Sequence, residues 1–223
     1  MRAKNRTLLL LIALSVPLLI TSGCSDDENV KVIFDTQHRP IFSSFDKMRG
    51  VFSERGLEVV DGGIEDLGSA RAYILTGPAH RVYEKEIVDF VRGGGVLVIM
   101  IHIPPSNIMP LLKEFGMSAD TSPIEHNVVR AVPSVETDLS RDVESIVLYG
   151  AFRVSDPIFV ESEDVIRLSD GTEMGLVGMK RYGEGYVILV GDDAAFMDAY
   201  IESADNLKFV ENLADFILKN GKG

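Results

Sequence analysis

Three of the four histidines stand just beyond apolar runs: His38 follows Val32-Ile33-Phe34-Asp35, His80 follows Tyr73-Ile74-Leu75, and His102 follows Val96 to Ile101. Asp35 ends the first of these runs, and Gly191-Asp192-Asp193 follows a further run, Tyr186 to Val190. If the runs are parallel strands, their C-terminal ends share one edge of a sheet, the edge at which ligands bind in open α/β folds. Imidazole and carboxylate groups gathered there suit Zn, Mn or Fe with an open coordination position, which makes His38, His80 and His102 candidate metal ligands. The same residues also suit separate loop side chains, each satisfied by its own hydrogen bonds. The candidate ligand-binding set is Asp35, His38, Gly77, His80, His102, Asp192 and Asp193. Asp192 and Asp193 carry a second reading, as acceptors for the free amides of the turn or helix that follows them.

Other chemistries are excluded or left without support. Cys24 is the only cysteine, which excludes thiolate zinc sites, a CxxC redox pair and, once Cys24 is acylated, a cysteine nucleophile. There is no GxSxG elbow for a serine hydrolase. Gly93-Gly94-Gly95 runs from a helix into a strand, whereas phosphate-cradling loops run from a strand to a helix N-terminus. Gly77-Pro78 does lie on a strand-to-helix connection but has neither nucleotide-binding pattern. His126, in Glu125-His126-Asn127, falls in a loop with no assigned role.

The elements that position these residues follow from periodicity. Val32-Ile33-Phe34 is a strand, and Ser43 or Ser44 is the N-cap candidate of a helix carrying Phe45, Met48 and Phe52 at helical spacing, stopped at Gly56. Leu57 to Val60 and Tyr73 to Leu75 are strands. Tyr83 to Arg92 carries Ile87, Val88 and Val91 on one helical face, and Val96 to Ile101 is apolar throughout, as a buried central strand is. Strands alternating with helices predict βαβ units.

Between about Met117 and Gly185 the pattern becomes alternating, in Ser145 to Tyr149, Val165 to Leu168 and Glu173 to Met179. Asp170-Gly171 and Gly183-Glu184-Gly185 are hairpin signals there. Tyr186 to Val190 then returns as a continuous apolar strand, and Leu207 to Leu218 is an amphipathic closing helix. The fold class predicted is α/β, a mostly parallel flavodoxin-like sheet flanked by helices with an antiparallel β extension in the second half. The domain plan is residues 1–23 as a signal peptide, 24–30 as an acidic tether and 31–223 as a single α/β domain, with about 117–185 as a β-rich insertion. There is no internal repeat and no low-complexity tract.

From Tyr73 to Met117 the string YILTGPAHRVYEKEIVDFVRGGGVLVIMIH, continued by NIMPLLKEFGM, resembles the glutamine-amidotransferase-like domain of GldG-type and intraflagellar-transport-type proteins. Val32-Ile33-Phe34-Asp35 with His38, and Gly185 to Asp192, are similar to uncharacterised prokaryotic surface lipoproteins of that group. The resemblance implies a flavodoxin-like fold and, mostly, no activity. Amidotransferases of this class place a cysteine on a nucleophile elbow with histidine and glutamate partners, and the corresponding strand end here reads Ile101-His102-Ile103-Pro104.

The first two dozen residues form a separate signal. Arg2, Lys4 and Arg6 precede an apolar run from Leu8 to Ile20, then Thr21-Ser22-Gly23-Cys24. This order resembles a prokaryotic lipoprotein lipobox, with Thr21 where leucine is usual, and implies that Cys24 is acylated and begins the mature chain. The run is broken by Ser15 and Pro17 and is short of the ~20 residues that span a bilayer, which favours cleavage. An ordinary signal peptide or an uncleaved anchor is the alternative. Each version places the globular part outside the cytoplasm, and acylation of Cys24 predicts a cell-membrane location, lipid-anchored and facing outside the cytoplasm.

The whole chain holds 22 Lys and Arg against 34 Asp and Glu. Removing residues 1–23 takes away only basic charge, leaving a scattered basic minority that excludes nucleic acid as a partner. The expected function is a non-catalytic, membrane-tethered binding or assembly module with a protein or small-molecule partner and no cofactor. The alternative is a metal-dependent enzyme, with Zn or Mn, acting on a carbohydrate or amide-like substrate through the strand-end histidines and aspartates.

Overall fold

The computed structural model describes residues 30–41, 44–102, 105–161 and 166–221. Cys24 and the signal, Ser43, Ile103, Pro104 and Val165 lie outside the described residues. The chain alternates at first: β1 (Val30–Asp35), α1 (Asp46–Glu54), β2 (Leu57–Gly62), β3 (Ala70–Thr76), α2 (Lys85–Arg92), β4 (Val96–Met100) and α3 (Met109–Glu114). Strands then dominate, with β5 (Val128–Pro133), β6 (Ile146–Tyr149), β7 (Val154–Ser155), β8 (Pro157–Glu161), β9 (Ile166–Arg167), β10 (Glu173–Gly175), β11 (Val177–Tyr182) and β12 (Gly185–Val190). Helix α4 (Asn206–Asn220) closes the described chain.

Nine strands form one sheet in the order β2-β1-β3-β4-β12-β11-β8-β5-β6, and β7-β10-β9 form a small second sheet. The pairs from β2 across to β12 are parallel. Those from β12 across to β6 are antiparallel. The sheet is therefore mixed, half parallel and half antiparallel, and the expectation of a mostly parallel sheet is corrected. The antiparallel extension is as wide as the parallel part because five strands of the second half join the main sheet instead of decorating its edge.

Alternation along the parallel strands separates two cores, as the twofold side-chain period of a strand requires. Val32, Phe34 and Ile74 point to the face covered by α1 and α4, where Met48, Phe52, Phe209 and Leu213 pack. Ile33, Tyr73 and Leu75 point to the other face, with Ile87 and Val91 of α2 and Leu111 of α3. All five residues of β4 are buried, since helices cover both of its faces.

Two local expectations also change. Val30 pairs with Leu57 and belongs to β1, so the fold begins one residue inside the supposed tether. Helix α1 has Phe45 at its N-cap position with no side-chain cap; instead Asp198 Oδ1 accepts from the Lys47 N–H at 2.8 Å, a remote carboxylate doing the work expected of a neighbouring serine. Among the described residues no helix is long and apolar enough to cross a membrane.

Candidate functional site

The C-terminal ends of β1, β3, β4 and β12 do meet along one edge, and the loops leaving them carry the histidines and aspartates. The loops after β1 and β3 are zipped together: Ile41 N–H donates to Gly77 O (3.1 Å), Ala79 N–H to Arg39 O (3.1 Å) and His80 N–H to His38 O (3.1 Å).

Asp35 organises the first loop. Its carboxylate accepts from the Gln37 and His38 backbone N–H groups (3.2 and 3.1 Å), from the Tyr73 hydroxyl (2.5 Å) and from His38 Nδ1 (2.9 Å). On the far side of the same ring, His38 Nε2 lies 3.1 Å from Glu84 Oε1, an ion-pair contact without the alignment of a hydrogen bond. His38 is only 3% exposed. Burial alone pulls an imidazole pKa down, yet the carboxylates facing its two nitrogens outweigh that and hold His38 above its ordinary value. Burial, reinforced by Asp35, pushes the Tyr73 phenol far up, so it remains a hydrogen-bond donor. This cluster ties β1, β3 and the start of α2 together, with Asp35, His38 and Tyr73 buried and Glu84 part-exposed at its rim.

The second pair is more open. His102, at the end of β4, places Nδ1 2.9 Å from Asp193 Oδ1, and its side chain is 21% exposed while that of Asp193 is fully buried. Asp193 reaches this position because the parallel ladder continues past the strands, with Ile101 N–H donating to Val190 O (2.9 Å) and Asp193 N–H to Ile101 O (2.8 Å). The hydrogen bond from its ring to the Asp193 carboxylate holds the His102 pKa above its usual value against some burial. Burial raises Asp193, and His102 pulls it back down. Asp193 Oδ2 is buried without a hydrogen-bond partner among the described residues.

Gly77 roofs this pair. Its φ is +47°, and a Cβ there would stand 2.5 Å from Asp193 Oδ2 and 2.7 Å from the His102 Cβ. Only glycine fits both the left-handed backbone and the space.

Asp192 is consumed internally. Its oxygens accept from the N–H groups of Tyr149 (2.7 Å), Ala194 (3.0 Å) and Ala195 (3.1 Å), which realises the predicted turn cap and adds a link to β6. Burial pushes it up to about 7 despite those three donors. His80 and His126 are exposed. The three candidate histidines are thus distributed among a mostly buried cluster, an open pair and a solvent-facing loop. Among the described residues no group of three or more His, Cys, Asp or Glu side chains is arranged to hold a metal ion.

Two partners were not foreseen, Tyr73 and Glu84. Tyr73 carries a readable signal, since a phenol inside a buried strand needs a polar partner. Glu84 does not, because nothing local distinguishes it from its acidic neighbours.

The family described as "Domain of unknown function (DUF4350)" matches residues 47–214. No curated protein matches the sequence. Among solved structures the fold is similar to the mmIFT52 N-terminal domain, at 15% identity and a TM-score of 0.64, covering 86% of this chain and 99% of that one. It is also similar to cytoplasmic protein STM1381 from Salmonella typhimurium LT2, at 14% identity and a TM-score of 0.57, covering 86% and 100%. A beta-galactosidase from Bacillus circulans sp. alkalophilus matches at 13% identity and a TM-score of 0.56. There the match covers 86% of this chain but spans only 31% of the enzyme. At these identities the likenesses describe the fold alone.

Proposed function

We propose that this chain, which belongs to the DUF4350 family, is a lipid-anchored binding or assembly module that faces outside the cytoplasm and has no catalysis of its own. The observation that carries this reading is the end of β4. There an amidotransferase-like domain would present its thiol, but this chain presents Ile101 and His102, whose ring is held by Asp193, and its only cysteine is Cys24. We read the parallel half, in the order β2-β1-β3-β4-β12, as flavodoxin-like and amidotransferase-like, with the loop-bearing strand ends as the binding face. The lipobox-like stretch supports acylation of Cys24.

Two measurements test this. The full chain expressed in a bacterium with labelled palmitate is expected to take up label and sediment with membranes, and Cys24→Ser to lose the label. Unlabelled wild-type chain would sink the anchor. Turnover on a panel of glycosidase, amidase and glutaminase substrates would sink the non-catalytic reading.

One observation favours a second reading, a metal-dependent enzyme on a carbohydrate or amide-like substrate. The part-exposed His102 imidazole and the Asp193 Oδ2, buried without a hydrogen-bond partner among the described residues, are two groups of the right chemistry for Zn or Mn. Stoichiometric metal in protein purified without chelators, lost in His102→Ala, would establish it. Protein free of metal and with melting unchanged by EDTA would remove it.

A further inference from the structure

At the junction of β1 and β3 the connections diverge. From β1 the chain goes outward through α1 to β2, and from β3 it goes inward through α2 to β4, on the opposite face. Such a divergence leaves a crevice beyond the strand ends, the place where open α/β sheets take ligands. Here it is a cavity of about 250 Å³ whose lining includes Phe34, Asp35, Asp46, Arg49, Asp61 and Thr76. At ~30 Å³ per water it holds on the order of eight waters, the size of a small metabolite.

Most of the polar groups in the crevice are already engaged. Arg49 pairs with Asp61 at 2.6 Å and lays its guanidinium 4.1 Å above the Phe34 ring. Asp35 is taken by His38 and Tyr73. Two groups remain without a partner among the described residues. Asp46 is exposed and opens the first turn of α1. Thr76 is only 5% exposed and lines the cavity. It follows Ile74 on the α1 side of the sheet, so its hydroxyl meets the crevice and not the other core. With no protein partner among the described residues, that hydroxyl is left to whatever occupies the cavity.

We infer that this crevice binds a small organic cation, an amine whose N–H groups meet the Thr76 hydroxyl and the Asp46 carboxylate. With Asp61 paired to Arg49 and Asp35 to His38, Asp46 is the carboxylate left unpaired among the described residues, and it favours a positive guest, as does the whole chain's net charge of −12. The stacked Arg49 shows that the Phe34 wall accommodates a cation. An anion, by contrast, would face the unpaired Asp46 carboxylate. The inference deepens the binding-module reading and rests on it.

Calorimetric titration of the full chain in detergent micelles at low ionic strength, with three four-carbon probes, tests it. Saturable binding is expected for 1,4-diaminobutane, weaker binding for 1,4-butanediol and none for butanedioate. Asp46→Asn and Thr76→Val are each expected to weaken diamine binding ~10-fold or more, the range of a hydrogen bond to a charged group. Thr76→Ser should restore it, and His126→Gln, at an exposed loop position, should leave it unchanged. Thr76→Val should melt no lower than wild type, because it removes an unbonded hydroxyl; a purely structural threonine would show the reverse. Butanedioate binding as well as the diamine, no saturable diamine binding, or diamine binding indifferent to both variants would each overturn the inference. Turnover on the substrate panel would instead overturn the non-catalytic reading while leaving the amine site standing.

Discussion

The two histidine–carboxylate pairs differ in what surrounds them, and that difference decides what each can do. His102 keeps one side toward solvent while Asp193 fixes Nδ1 from a buried position. Replacing Asp193 by Asn removes the charge that raises the His102 pKa, so the imidazole is expected to titrate lower than in the wild type, followed by NMR of its ring proton. An unchanged midpoint would mean that Asp193 does not govern the ring. His38 is closed in, and its pKa is raised above 6.5 in the folded state. Its contribution to stability is therefore complete below about pH 6.5 and lost as pH rises through the folded value. The melting advantage of wild type over His38→Gln should be largest in mild acid and shrink toward alkaline pH; a difference constant from pH 5 to 9 would contradict this. Both histidines were visible in the sequence because each follows an apolar run that stops abruptly. Their partners were only partly so: Asp35 is local to His38, whereas Asp193 reaches His102 through the pairing of β4 with β12, a relation no local pattern carries.

Continuous apolar runs were the most legible elements, because a strand buried on both faces has a composition that solvent would not tolerate. The parallel strands and helices α1, α2 and α4 stand within a few residues of where periodicity puts them. The antiparallel half was legible as strands but not as a layout. Glu173 to Met179 reads as one alternating segment, yet it divides between β10 in the small sheet and β11 in the large one. Leu176, at the division, is buried and its N–H donates to Phe159 O at 2.7 Å. Both strands have one face inside, so the change of sheet leaves no trace in the alternation. The hinge between the halves is Asp192, which follows β12 and holds the N–H of Tyr149 in β6 as well as the turn at 194–196. Asp192→Ala strands three amides at once. A loss of ~2–4 kcal/mol in urea unfolding is expected, and a loss below ~0.5 kcal/mol would mean that water replaces the carboxylate.

As a whole molecule the chain has its middle strand last. In the centre of the nine-stranded sheet, β4 runs from Val96, and the neighbour that completes it, β12, arrives only with Tyr186 to Val190. Everything between, including most of the antiparallel half, is made and threaded first. Until then the β4 edge is an unpaired apolar template of the kind that recruits other chains. A product of residues 25–184, without the signal and Cys24, is accordingly expected to collect in inclusion bodies, whereas residues 25–221 stay in solution; a soluble, monomeric 25–184 fragment would contradict this. The consequence is one of timing. During synthesis residues 1–190 must leave the ribosome before the sheet can close, so the polypeptide stays slack for most of its own translation.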